Sequence, residues 1–293
     1  QTAALALSAA LFLMSLVQGL WMPVHTGDAM LNFAQNARVF ETHGALAPEA
    51  LASLALPGHV DYPPLVALNE AAIFLAAGDT RAFAIKPFFA LAYLALLLLI
   101  VEACFGVLRG WVAAAAAGVA MLTPVFALQS TDGYAYLRLT ACVLLLALQA
   151  RELPRGLGLF ALAAAACALT KFEGLALALG AVAWLAWLAA RGRVPAGRGA
   201  LAAIAILVLS LIWPVYLARH GLGAAPLAGS EWHDLAGAAG RLPDAALTLL
   251  GFTLGHDNYG HPAWGLFWPL AGALALVGLA RGGATRRAVA LAL

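Results

Sequence analysis

Charge is scarce in this chain. Sixteen Lys+Arg and fourteen Asp+Glu make up 10% of 293 residues, while 64% are hydrophobic. A soluble domain of this size must cover its surface with polar groups, so that class is excluded. The net charge of +2 offers no basic surface, and no nucleic-acid partner is expected. Cysteine is nearly absent as well. Cys104, Cys142 and Cys167 all fall in apolar runs, at no disulfide or zinc spacing, and read as small core residues. There is no HExxH and no paired-Cys motif. No certain cofactor is read, and a divalent metal stays open but unsupported. Lysine is rarer still. Abundant Ala, Leu, Gly and Arg with almost no Lys suggests a GC-rich bacterial genome.

What is present is apolar sequence in long runs. Mean hydropathy is +0.91. Several runs approach or exceed the roughly 18 residues that cross a bilayer as a helix. The expected fold class is an all-α polytopic membrane protein with about eight to nine transmembrane helices. Spans are expected near 3–22, 85–107, 111–128, 134–150, 157–169, 175–190, 200–217 and 264–280, with a ninth from 288. The first run lacks a basic start and a small-residue cleavage site, so it reads as a span and not a signal. A Gln1 start and an end at "RRAVALAL" lead us to expect a single domain, 1–293, truncated at both ends.

Charge sidedness orients these spans. Arg109, Arg151, Arg155, Arg191, Arg193, Arg198, Arg281, Arg286 and Arg287 fall in four short turns on one side. The positive-inside rule makes that side, and the amino terminus, cytoplasmic. All seven histidines and twelve of fourteen acids fall on the other side, Glu102 and Glu152 excepted. That face holds nearly all the groups capable of proton chemistry. The first outer (periplasmic) loop runs over 25–84. Within it, 28–43 reads as an amphipathic interfacial helix, with Met30, Phe33, Ala37 and Phe40 on one face and Asn32, Gln35 and Asn36 off it. Leu65 to Ala77 reads as a second one, entered through Pro63 and Pro64.

Five stretches carry candidate chemistry. Asp28, in "VHTGDAMLNF", is a plausible helix cap and also a carboxylate at the membrane surface. "HVDYPPLV" puts His59, Asp61 and Tyr62 within four residues; it reads as an extended turn or a polar-ligand contact. In "STDGYAYLR", Asp132 opens a spanning helix and Arg138 lies more than a turn inside it. A guanidinium there is costly unless it faces a polar cavity or an anion. "CALTKFEGLAL" fits a capping box of Thr170 with Glu173. The apolar stretch before it, however, rises only about 20 Å, short of the roughly 30 Å hydrocarbon core. Lys171 and Glu173 are therefore expected in a recess between two helices, where Lys171 and Arg138 could converge on an anion. "GSEWHDL" and "GHDNYGHPAWG" add His, Asp and aromatics in a second outer loop, consistent with interface anchoring.

Gly27-Asp28-Ala29, Asp61-Tyr62-Pro63-Pro64-Leu65, Asp132 and Thr170-Lys171-Phe172-Glu173-Gly174, in this order and sidedness, resemble the GT-C superfamily of membrane glycosyltransferases. The likeness is to the branch of dolichyl-phosphate-mannose–protein mannosyltransferases and the bacterial aminoarabinose transferase of lipid A (glycosyltransferase family 39-like). It covers about the first 220 residues. The family often has a further acid beside the first one; Asp28 has no adjacent acid. The resemblance implies a GT-C-like bundle in a bacterial inner membrane, with its active site on the outer face. It implies a polyprenyl-phosphate-linked sugar as donor and a glycan, lipid or protein acceptor. Asp28 would be the general base, Arg138 and Lys171 would stabilise the leaving phosphate, and Asp132 would orient the acceptor or a cation. His59 and Tyr62, beside Asp61, would line the sugar pocket, and Glu173 stands next to Lys171. The rival readings are a polytopic transporter or flippase and a non-catalytic lipid-binding membrane protein.

Overall fold

The computed structural model describes residues 1–22, 28–53, 62–78, 80–131 and 133–222. Eleven α-helices lie among them: α1 Thr2–Trp21, α2 Gln35–His43, α3 Pro48–Ser53, α4 Leu65–Ala77, α5 Lys86–Val107, α6 Gly110–Met121, α7 Pro124–Gln129, α8 Ala135–Arg151, α9 Leu157–Thr170, α10 Phe172–Ala190 and α11 Ala196–His220. A π-helical turn, Asp28–Ala34, leads into α2, and a 3-10 turn, Ala82–Ile85, leads into α5. No strand occurs among the described residues. Among the described residues four helices are long and apolar enough to cross a membrane: Thr2–Trp21, Phe83–Val107, Phe172–Ala190 and Ala196–His220. The spans expected near 264–280 and from 288 lie outside the described residues.

α5 centres one half of the bundle. Its buried positions, Phe89, Tyr93, Leu96, Leu97 and Ile100, recur at helical spacing. Against it lies α1. α1 buries Ala4, Ser8, Leu11, Ser15 and Gly19 and leaves Leu13, Met14 and Val17 outward. Small residues on the packed face let helix backbones approach closely, as membrane helices require. Ser15 Oγ donates to Ser130 Oγ at 2.7 Å, tying α1 to the turn after α7. The other half joins α9, α10 and α11 through Phe160, Ala164, Ala168, Ala178, Ala181, Leu185 and Ile206. α8 packs on both α5 and α9 and links the halves.

The segment between α1 and α5 is folded down onto one end of this bundle. Phe40, Leu51, Ala71 and Phe74 from that segment share an apolar cluster with Phe89 at the start of α5 and with Trp213 and Leu217 near the end of α11. At this loop end, helices α5, α8 and α10 begin and α9 and α11 finish.

Three local expectations are corrected. The single span expected over 111–128 is two helices. Pro124 has no N–H to give and drives Thr123 to an extended φ/ψ of −63/117, so α6 stops at Met121 and α7 starts afresh. The helix expected over 28–43 opens as a π-helical turn, which shifts the phase of its faces. Phe33, Ala37 and Phe40 are buried as expected, but Asn32 and Asn36 are buried with them while Met30 is 43% exposed. The capping box is not formed. Thr170 closes α9 and bonds back to the Ala166 carbonyl at 2.6 Å, and Lys171 takes the N-cap position of α10.

Candidate functional site

The turn between α9 and α10 sets the height of Lys171. α9 is 14 residues long, about 21 Å as a helix. Lys171 then breaks the helix with an extended φ/ψ of −156/157. Two helices meeting at a turn over 157–190 is what the chain adopts. Gly174 makes the reversal possible. A Cβ there would stand 1.9 Å from the Cys167 carbonyl oxygen, so only glycine lets α10 start so close to α9.

Lys171 is buried, with 6% of its surface exposed. Its Nζ lies 3.4 Å from the centroid of the Tyr136 ring and 5.9 Å from that of Tyr62. Tyr62 is held by Phe33, at 5.8 Å between centroids, and edge-on by Phe172 at 6.3 Å. Glu173 Oε1 approaches Lys171 Nζ at 3.4 Å, but its side chain is 61% exposed. The ammonium is thus withdrawn from water, backed by an aromatic face and only weakly neutralised. Cation–π contact stabilises such a group without supplying a counter-charge. What the arrangement can do chemically is pair with an anion. Sequence-predicted Tyr62, Lys171 and Glu173 are brought together here, and Pro63 and Pro64, both buried, start α4 at Leu65.

Arg138 occupies different surroundings. Its guanidinium carbon lies 4.8 Å from the Phe88 centroid and 4.9 Å from that of Phe89. Nη1 donates to the Gly133 carbonyl at 3.4 Å, while Nε and Nη2 are buried without a partner. The crevice beside it, lined by Phe89, Gly133 and Leu137, is too tight to admit a water molecule. Tyr136 and Arg138 are two residues apart, so at about 100° per residue they leave α8 on nearly opposite faces. The expected convergence of Arg138 and Lys171 on one anion is not what the geometry provides.

Asp132, His59 and Asp61 lie outside the described residues, as does the side chain of Asp28, whose backbone opens the π-helical turn. Among the described residues no three His, Cys, Asp or Glu side chains group to hold a metal.

Sequence reasoning passed over four residues that shape this end. Glu70 is 1% exposed in the middle of apolar α4, and Lys86 is 3% exposed at the head of α5, with Nζ donating to the Thr131 carbonyl at 2.7 Å. A lone charge inside an otherwise apolar run was the available signal for both. Gly133 has φ of +71 and Phe89 ring atoms 2.6 Å from where its Cβ would be. In the sequence, Gly174 stood out only as part of the resembling motif, and Gly133 was given no role. No family model, curated protein or solved structure matches the chain.

Proposed function

We propose that this is an integral membrane glycosyltransferase. It moves a sugar from a polyprenyl-phosphate donor to an acceptor hydroxyl or amine, at the loop end of the bundle and with inversion. The observation that carries this reading is the buried Lys171 ammonium, set on Tyr136 and Tyr62 at the turn between α9 and α10. A phosphate carried on a long hydrocarbon chain is an anion that a cation on a membrane bundle would take. The exposed apolar faces of the four long helices support association with membrane lipid.

In the proposed reaction the acceptor oxygen or nitrogen attacks the anomeric carbon. Asp28 takes the acceptor proton, as a carboxylate within hydrogen-bond reach can. The bond from the anomeric carbon to the phosphate oxygen breaks, and polyprenyl phosphate leaves. Charge grows on that phosphate in the transition state, and a fixed cation in a low-dielectric recess stabilises it. Lys171 fills this role. Tyr62 lines the sugar side, and His59, Asp61 and Asp132 are the proposed further contacts to sugar and acceptor. The arginine turns at the far end, Arg109, Arg151, Arg191, Arg193 and Arg198, orient that end to the cytoplasm and the loop end outward, in a bacterial inner membrane.

Donor binding tests the reading. Purified protein in nanodiscs is titrated with undecaprenyl phosphate and with undecaprenol. Tight binding of the phosphate, lost in Lys171→Ala, supports it; equal binding of the phosphate and the alcohol contradicts it.

A further inference from the structure

α8 and α9 run antiparallel, joined by the short turn after Arg151, and pack along their lengths. Two contacts fix their register. At the loop end the Tyr136 ring lies on Lys171. Toward the other end Leu146 and Ala150 pack on the cluster that holds Phe160, Ala161 and Ala164. Between these contacts each helix places a cysteine on the shared face. Cys142 stands one turn before Leu146, and Cys167 one turn after Ala164. The two thiols meet there as a hydrogen-bonded pair. Both are free, Cys167 buried and Cys142 half-buried. Ala163, Ala164 and Ala168 are buried in α9. Such small side chains let helix backbones approach closely, as a disulfide between helices requires. Cys104 lies elsewhere. It packs on the cluster of α1 and α5, two residues before Gly106, whose carbonyl takes Arg151 at the far end of α8. Sequence spacing gives no hint of the pair, because only the return of α9 along α8 brings it together.

We infer that Cys142 and Cys167 are a modification site, a dithiol that closes to a disulfide between α8 and α9. Both S–H bonds break and one Sγ–Sγ bond forms. Two electrons and two protons pass to an uncharged acceptor dissolved in the membrane, a quinone, which leaves as the hydroquinone. Half-buried Cys142 is the sulfur that such an acceptor reaches first. Cys142 comes six residues after Tyr136, and Cys167 four before Lys171. The closed bond therefore spans the helices one to two turns from that contact and fixes their spacing. The inference needs no glycosyl transfer and stands or falls apart from it.

The test is oxidation of the full chain in membranes. Reduced, washed membranes are incubated with decyl-ubiquinone. Remaining thiols are blocked with N-ethylmaleimide in denaturant, and the digested peptides are read by mass spectrometry. Blocking of Cys142 and Cys167 is expected to fall together by about fivefold or more, while Cys104 stays within about twofold of the untreated sample. A peptide linked through Cys142 and Cys167 should appear, and dithiothreitol should release it. Cys104→Ala is expected to behave as wild type, and Cys142→Ser to leave Cys167 fully blocked. Absence of the linked peptide in wild type overturns the inference. So does linkage through Cys104, or loss of Cys167 blocking in Cys142→Ser equal to that in wild type.

Discussion

Lys171 Nζ and the face of the Tyr136 ring lie 3.4 Å apart, across the gap between the α9–α10 turn and the first turn of α8. This contact joins the two stretches that the sequence marked separately, "STDGYAYLR" and "CALTKFEGLAL". It keeps a buried ammonium in place without cancelling its charge. The ring face does the holding, so Tyr136→Phe is expected to bind undecaprenyl phosphate as wild type does. Tyr136→Leu loses roughly three- to tenfold in affinity, the range of a partly desolvated cation–π contact. Isothermal titration in nanodiscs measures both.

Glu173 is the weak counter-charge of the site. An exposed ion pair contributes little, about 0.2–1 kcal/mol. Glu173→Gln should therefore leave the melting temperature of the protein nearly unchanged. It should tighten phosphate-lipid binding by up to about fivefold, because an anion no longer competes with the carboxylate. Weaker binding in Glu173→Gln would make the carboxylate a ligand contact instead.

Gly174 and Gly180 offer a matched pair on α10. A Cβ at Gly174 strikes the Cys167 backbone, whereas at Gly180 nothing lies within 4 Å. Gly174→Ala is expected to destabilise by about 3 kcal/mol or to abolish folding. Gly180→Ala should be neutral or add up to about 1 kcal/mol through helix propensity. Thermal unfolding followed by fluorescence distinguishes them.

Glu70 makes stability depend on pH. Burial pushes its carboxyl up from 4.5 to about 8, with the Arg138 guanidinium pulling the other way. The folded state therefore holds a proton that the unfolded chain releases. The contribution is complete below pH 4.5 and is lost as pH rises through about 8. Melting temperature should fall from pH 5 to pH 9 in wild type, and Glu70→Gln, which cannot ionise, should flatten that slope. An equal slope in the variant would assign the dependence elsewhere.

Orientation is testable with single cysteines in a background lacking Cys104, Cys142 and Cys167. A cysteine at Ser53, in the folded first loop, should react with an impermeant maleimide in intact cells. One at Arg193 should react only after the membrane is opened. The reverse pattern would place the Lys171 recess on the cytoplasmic side and contradict the proposed topology.

Much of the architecture was legible because apolar run length and proline position act locally. Leu65–Ala77 begins and ends where the double proline and Gly78 place it, and α1, α5, α9 and α11 follow their runs. The break at Lys171 between α9 and α10 was legible too, from the shortness of the run before it. Other features depend on contacts between distant segments, which periodicity does not encode. The burial of Asn32 and Asn36 follows from a π-helical turn. The different surroundings of Arg138 and Lys171 follow from the two-residue step between Tyr136 and Arg138, which puts them on nearly opposite faces of α8. The need for glycine at 174 follows from how closely α10 returns along α9.

The most direct test of the central claim is sugar transfer itself. Membranes containing the full-length protein are given radiolabelled undecaprenyl-phosphate sugars, and label is followed into lipid, glycan and protein fractions. Wild type, Asp28→Asn and Lys171→Ala are compared at equal expression. The account predicts transfer by wild type, none by Asp28→Asn, and a loss of about a hundredfold or more in Lys171→Ala, the scale of removing one transition-state contact. Full transfer by Asp28→Asn, or none by wild type from any donor, would contradict it.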